Sequence, residues 1–174
     1  MKVSAGIRRI FVWQWCFGLL CLLLAGCSTA DNEMSAGSIR AVNHVDGTAI
    51  NWFKVNGYRA SGGGGDQCCI VMPDKWRPGL IVNIEWEVDP DRWAKLPGFD
   101  DPNYLAAYAK HKANYKQYST QVEIPEYQEK VCGLTVHFLA CQQVKVATSC
   151  YGTSSPQYPI KEPRHMKEPA VCTK

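Results

Sequence analysis

The alternation of apolar and polar residues along this chain spells strands far more often than helices. The clearest stretch is 80–88, where Leu80, Val82, Ile84, Trp86 and Val88 share one face and Asn83, Glu85 and Glu87 the other, with Ile81 the one breach. A period of two that is apolar on one side only is the pattern of a half-buried antiparallel strand. Residues 38–45 and 49–55 alternate in the same way about Asp46-Gly47 and predict a hairpin, and Asn56-Gly57 supplies a second turn. Shorter strands are predicted at 121–124, 134–139 and 144–150, the last two joined around 140–143. Beyond Gly152, Pro156, Pro159, Pro163 and Pro169 exclude a helix or a central strand, so 152–174 reads as an extended tail.

Between 89 and 119 the β pattern breaks. Asp101-Pro102 has the form of an N-cap followed by a first-turn proline, and predicts a helix over about 102–116. Tyr104, Tyr108, His111 and Tyr115 then recur at helical spacing beside Lys110, Lys112 and Lys116. Such a stripe is either core packing or a binding face. On the second reading Tyr104, Tyr108 and Tyr115 are partner-binding anchors, with Trp93 a fourth outside the helix. Five to seven short strands and one helix predict a mainly β fold. The expected architecture is an antiparallel β-sandwich or open barrel with one helical insertion, stapled by disulfides.

The N-terminus bears on compartment. Lys2, Arg8 and Arg9 precede an apolar run over 10–24 that ends in Leu24-Ala25-Gly26-Cys27. This describes an export signal over 1–26, too short and wrongly flanked for a spanning helix. The LAGC ending resembles a bacterial lipobox, which implies a lipid on Cys27, a tether over 27–37 and a single domain over 38–174. Ser28 stands where an inner-membrane retention signal has Asp, which implies an outer-membrane lipoprotein facing the periplasm. Export also changes the charge. All 16 acidic residues lie beyond Cys27 while three of the 19 Lys and Arg precede it, so the exported chain is formally neutral. The +3 of the whole chain therefore carries no implication for nucleic acid, and no nucleic-acid partner is expected.

Of nine cysteines, Cys16 and Cys21 leave with the signal and Cys27 takes the lipid. The remaining Cys68, Cys69, Cys132, Cys141, Cys150 and Cys172 predict up to three disulfides in an oxidising compartment. One pairing follows from parity. Burying both apolar rows of the 134–139 and 144–150 hairpin on one side requires Phe138 opposite Val144 and Val136 opposite Val146. That register sets Cys132 opposite Cys150. Cys141 is then left in the loop for Cys68 or Cys69, and Cys172 for the other. Zinc would need CxxC or HxxxH spacing, which the chain lacks, so neither metal nor cofactor is expected.

Catalytic signatures are missing too: there is no GxSxG elbow and no HExxH, and no Lys-Ser/Thr follows the glycine run 62–65. His137 alternates with Val136 and Phe138 and is expected on a wet face, and His44 near a turn. No catalytic residue is assigned, and a non-enzyme is expected.

The segments VNGYRASGGGG (55–65), Cys68-Cys69, Trp76 with Pro78-Gly79-Leu80, VEIPEY (122–127), VHFLAC (136–141), VKV (144–146) and PQYP (156–159) together resemble a family of bacterial lipoproteins of unknown function. That family includes periplasmic immunity proteins of type VI secretion phospholipase effectors. The resemblance implies an anchored immunity lipoprotein whose partner is a cognate phospholipase effector and which inhibits it by binding. The alternative is a structural or assembly lipoprotein of the envelope without a toxin partner.

Overall fold

Strand β5 (Ile81–Asp89) lies where the alternation placed it: Val82, Ile84, Trp86 and Val88 are buried, while Ile81 and Asn83 face solvent. The computed structural model describes residues 33–128 and 132–172; the expected signal segment 1–26 and the lipid site Cys27 lie outside the described residues. The other strands are β1 (Met34–Asn43), β2 (Ala49–Val55), β3 (Tyr58–Ser61), β4 (Gln67–Pro73), β6 (Lys116–Glu123), β7 (Leu134–Phe138) and β8 (Val144–Ala147), with one helix, α1 (Tyr104–Lys112). They form two four-stranded sheets, ordered β4-β1-β7-β8 and β3-β2-β5-β6. Inward rows of both sheets meet in one core, where Phe53 and Trp86 of the second sheet pack on Phe138 of the first at ring separations of 6.0 and 5.5 Å. The fold is a β-sandwich with one helical insertion. Side chains of this size each stabilise by about 1.5–3 kcal/mol on burial.

Several local expectations are corrected. Strand β1 starts at Met34, inside the expected tether, and pairs there with Pro73 of β4. Its small residues read as a linker, yet a Cβ on Gly37 would lie 2.7 Å from the Cα of Gly133, so smallness here serves a close backbone approach. The hairpin expected across Asp46-Gly47 does not form; β1 and β2 belong to different sheets, and the turn is a corner between layers. Strand β1 instead lies between β4 and β7, the latter parallel, from Ile39↔Leu134 to Asn43↔Phe138. Both of its faces are covered, since Ile39 and Ala41 are buried on one side and Val42 and His44 on the other. The first sheet is thus mixed, and the second wholly antiparallel.

Asn56-Gly57 does close a tight hairpin, with φ of 48° and 86° between Val55 and Tyr58. Strands β3 and β4 went unanticipated because glycines and the cysteine pair interrupt their alternation. Helix α1 is shorter than expected: Asn103, not Asp101, stands at its N-cap position, without a side-chain cap bond, and the Asp101 carboxylate takes the Asn103 N–H at 2.7 Å. Strand β6 therefore begins at Lys116, within the expected helix.

Hairpin β7–β8 has the register required by its apolar rows: Phe138↔Val144 and Val136↔Val146. Cys132 is bonded to Cys150 with a Cα separation of 4.9 Å. Both other pairings are corrections. Cys141 bonds Cys172 and Cys68 bonds Cys69. The tail brings Cys172 to the β7–β8 turn, where Glu168 accepts the Cys141 N–H at 2.8 Å. Cys68 and Cys69 sit on β4 at the far edge of that sheet, within reach only of each other.

Candidate functional site

The tail explains why one residue that alternation assigned to solvent is buried. His137 does point away from the core, but it is buried, because 152–172 crosses the outer face of the first sheet. Tyr158, only 1 % exposed, plugs that face, and its hydroxyl lies 2.6 Å from His137 Nε2. His137 Nδ1 lies 2.8 Å from His44 Nε2, and His44 Nδ1 lies 2.7 Å from the carbonyl of Pro163 in the tail. A carbonyl only accepts, so His44 Nδ1 donates and its Nε2 must accept. His137 then donates through Nδ1 and accepts the Tyr158 O–H at Nε2. Every member is satisfied with both imidazoles neutral. Burial pushes His137 down to about 3, and the neighbouring basic groups His44, Arg164 and Lys145 act in the same direction. This relay is sealed from solvent, and its evident work is to clamp the tail. The parallel bridge of Met166 to Val45 and the Cys141–Cys172 disulfide hold the tail further along.

The insertion between β5 and β6 is built the other way round. Helix α1 buries none of its residues. One near-buried hydrogen bond, from His111 Nε2 to Asp89 Oδ2 at 3.0 Å, ties the helix to the end of β5. Tyr115 packs edge-on against His111 and bonds Tyr108; burial, then the Asp89 carboxylate, pushes its phenol up to about 12. Outward from this hinge the surface is apolar. Phe99, Tyr104 and Tyr108 form a continuous ring stack, with separations of 4.7 and 5.9 Å. Phe99 is 88 % exposed, Leu105 76 % and Trp93 71 %, with the Arg92 guanidinium 4.5 Å from the Trp93 ring centre. Exposed aromatic and aliphatic side chains grouped in this way are a feature that interaction surfaces share.

Of the four anchors read from the sequence, Tyr104 and Tyr108 stand in this row of rings, Trp93 is exposed elsewhere on the same insertion, and Tyr115 packs on His111 in the hinge. Phe99 and Leu105 were missed. Phe99 sits in a Pro-Gly-flanked loop with no periodicity, and Leu105 lies off the tyrosine stripe. Arg92, Lys95, Lys110 and Lys112 give the rim a basic character, offset in part by Asp91, Asp100 and Asp101.

The insertion occupies a defined end of the sandwich. Arg92 N–H bonds the carbonyl of Gly47, in the corner beyond the C-terminus of β1. Met34 is at the other end of that ten-residue strand, some 30 Å away at about 3.3 Å per residue.

A cleft of about 1080 Å³ opens between the two sheets' edges, lined by Val122, Tyr127, Val144, Tyr151 and Ile160 and crossed by the Lys145–Glu162 ion pair. Cys141, Glu168 and Cys172 bring their ligand atoms within 4.8 Å of one another, but with both sulfurs in a disulfide they offer a metal no thiolate.

No curated protein and no solved structure matches the chain. Residues 42–146, more than half of it, match the family model described as "Protein of unknown function (DUF3304)". That span takes in the tight hairpin, the cysteine pair, β5, the whole insertion and the β7–β8 turn. The chain belongs to the DUF3304 family of proteins of unknown function.

Proposed function

We propose that this protein is a periplasmic, membrane-anchored immunity lipoprotein that binds and neutralises a type VI secretion phospholipase effector, and that the insertion is its binding face. The observation that carries the binding role is the exposed Trp93, Phe99 and Leu105 surface on a helix that buries nothing. Rigid aromatic anchors on a stapled scaffold lose little entropy on binding, and cognate inhibitor interfaces draw most of their affinity from a few such side chains. The identity of the partner rests on the lipoprotein-family resemblance of the sequence.

Geometry favours a protein over the lipid surface as occupant. Six residues, 28–33, separate Cys27 from β1, a reach of about 20 Å. An acylated Cys27 would hold the Met34 end towards the bilayer, and the aromatic end would face the periplasm, where a delivered effector arrives. The test is co-purification of the exported protein with a type VI lipase-type effector, sought first among the products of neighbouring genes, together with inhibition of phospholipid hydrolysis. A stable complex with loss of hydrolysis supports the reading. An effector that neither binds nor slows would leave the structural-lipoprotein alternative.

A further inference from the structure

Four strands end the two sheets, and three of those edges are blunted. Strands β3 and β8 have four residues each. Strand β4 carries a register shift against β1, the bonded cysteine pair and a terminal proline. Strand β6 has none of these protections. It pairs with β5 in eight unbroken steps from Val88↔Lys116 to Ile81↔Glu123, contains no proline, and is charged only at its two ends. Long, flat, uncharged edges are what native sheets ordinarily avoid, because they accept another strand.

The direction of its free groups follows from the register. Ile124 N–H bonds the carbonyl of Leu80, so even-numbered residues of β6 bond β5 and the odd ones face outward. Among the described residues no group pairs with the N–H of Gln117, Ser119 or Gln121, and the Gln121 carbonyl meets only the hydroxyl of Thr120, at 3.5 Å. The inward row tells the same story: Tyr118, Thr120 and Val122 stay half-exposed, whereas Val82, Ile84 and Trp86 beside them on β5 are at most 2 % exposed. The strand also continues directly from the insertion, since Tyr115 of the hinge precedes Lys116.

Resting on the reading of the insertion as a binding face, we infer that the partner lays an extended segment along β6 as a fifth strand of the second sheet. The segment that fits has apolar residues at alternate positions, to cover Tyr118, Thr120 and Val122, and polar ones opposite Gln117, Ser119 and Gln121. Main-chain bonds supply affinity and the aromatic insertion supplies selectivity, as in other strand-addition complexes.

The experiment is amide hydrogen exchange on the protein alone and with the purified lipase-type effector. Alone, the amides of Gln117, Ser119 and Gln121 should exchange freely while Tyr118, Thr120 and Val122 are protected. In the complex the odd amides should slow by about 100-fold or more. Gln121→Pro removes an outward donor and no bond to β5, so it should weaken binding at least about 10-fold at an unchanged melting temperature. A complex that forms with the odd amides still fast and Gln121→Pro without effect overturns strand addition and leaves the binding role standing. No complex at all overturns both. Concentration-dependent protection without effector would assign the edge to a second copy of this chain and overturn the partner strand.

Discussion

Replacing His137 with phenylalanine should remove most of the acid sensitivity that the buried imidazole relay gives this fold. In the native chain His137 is held down at about 3, against about 6.5 for a free imidazole. Between those values the unfolded chain takes up a proton that the folded chain refuses, so stability falls as pH drops through 6.5 and does not change on this account above it. At 1.36 kcal/mol per unit the loss is about 2 kcal/mol at pH 5 and about 3 kcal/mol at pH 4. Protonation of His137 would also put a proton on Nε2, facing the Tyr158 O–H that it accepts in the neutral state, and so weaken the hold on Tyr158 in the tail. The phenylalanine variant starts lower at pH 7.5, because His44 and Tyr158 each lose a partner, at about 1–3 kcal/mol for each buried orphan. Its curve should then run flatter, so that the two converge as pH falls. Urea melts followed by Trp86 fluorescence at half-unit steps from pH 7.5 to 4.5, with disulfides intact, read this directly. Acid losses from carboxylates such as Glu162 and Asp66 are common to both proteins and cancel in the difference. Equal slopes for the two proteins would refute the reasoning.

Tyr158→Phe leaves His137 Nε2 without its donor and should destabilise by about 1–3 kcal/mol in the same melts, with limited proteolysis cutting first in 152–172. Cys132→Ser with Cys150→Ser opens a loop of 18 residues, for a loss of about 3 kcal/mol on the chain-entropy account, seen as a lower urea midpoint. Asp89→Asn removes the charge from the carboxylate that holds His111 of α1. It should speed amide exchange across Tyr104–Lys112 while leaving the β5 core protected.

What the sequence made legible was whatever is decided by one face against another. Strand β5 buries one row and wets the other, so period two named it. The β7–β8 register, and with it Cys132–Cys150, followed because a slip of one residue would have turned an apolar row out to water. Strand β1 was found by its alternation over 38–45, but its start at Met34 lay in a run of small residues read as tether, and its place between β4 and β7 has no local signal. His137 was assigned to solvent by parity. The face was right, but the tail's path over it is a tertiary fact with no local signal. Cys141–Cys172 depended on that same path. In the insertion, helical spacing found Tyr104 and Tyr108 without showing that the helix stands off the core, and Phe99 in its loop left no pattern at all.

The most direct test of the central claim is a calorimetric titration of the type VI lipase-type effector with the native protein and with a Trp93→Ala, Phe99→Ala double variant. Both side chains are free of the core, so the melting temperatures should agree. The native protein should bind tightly at one to one and abolish phospholipid hydrolysis. The variant should bind at least about 100-fold more weakly, two anchors at more than 1 kcal/mol each. Equal affinity for the two would contradict the assignment of this surface, and no binding by the native protein would contradict the immunity role itself.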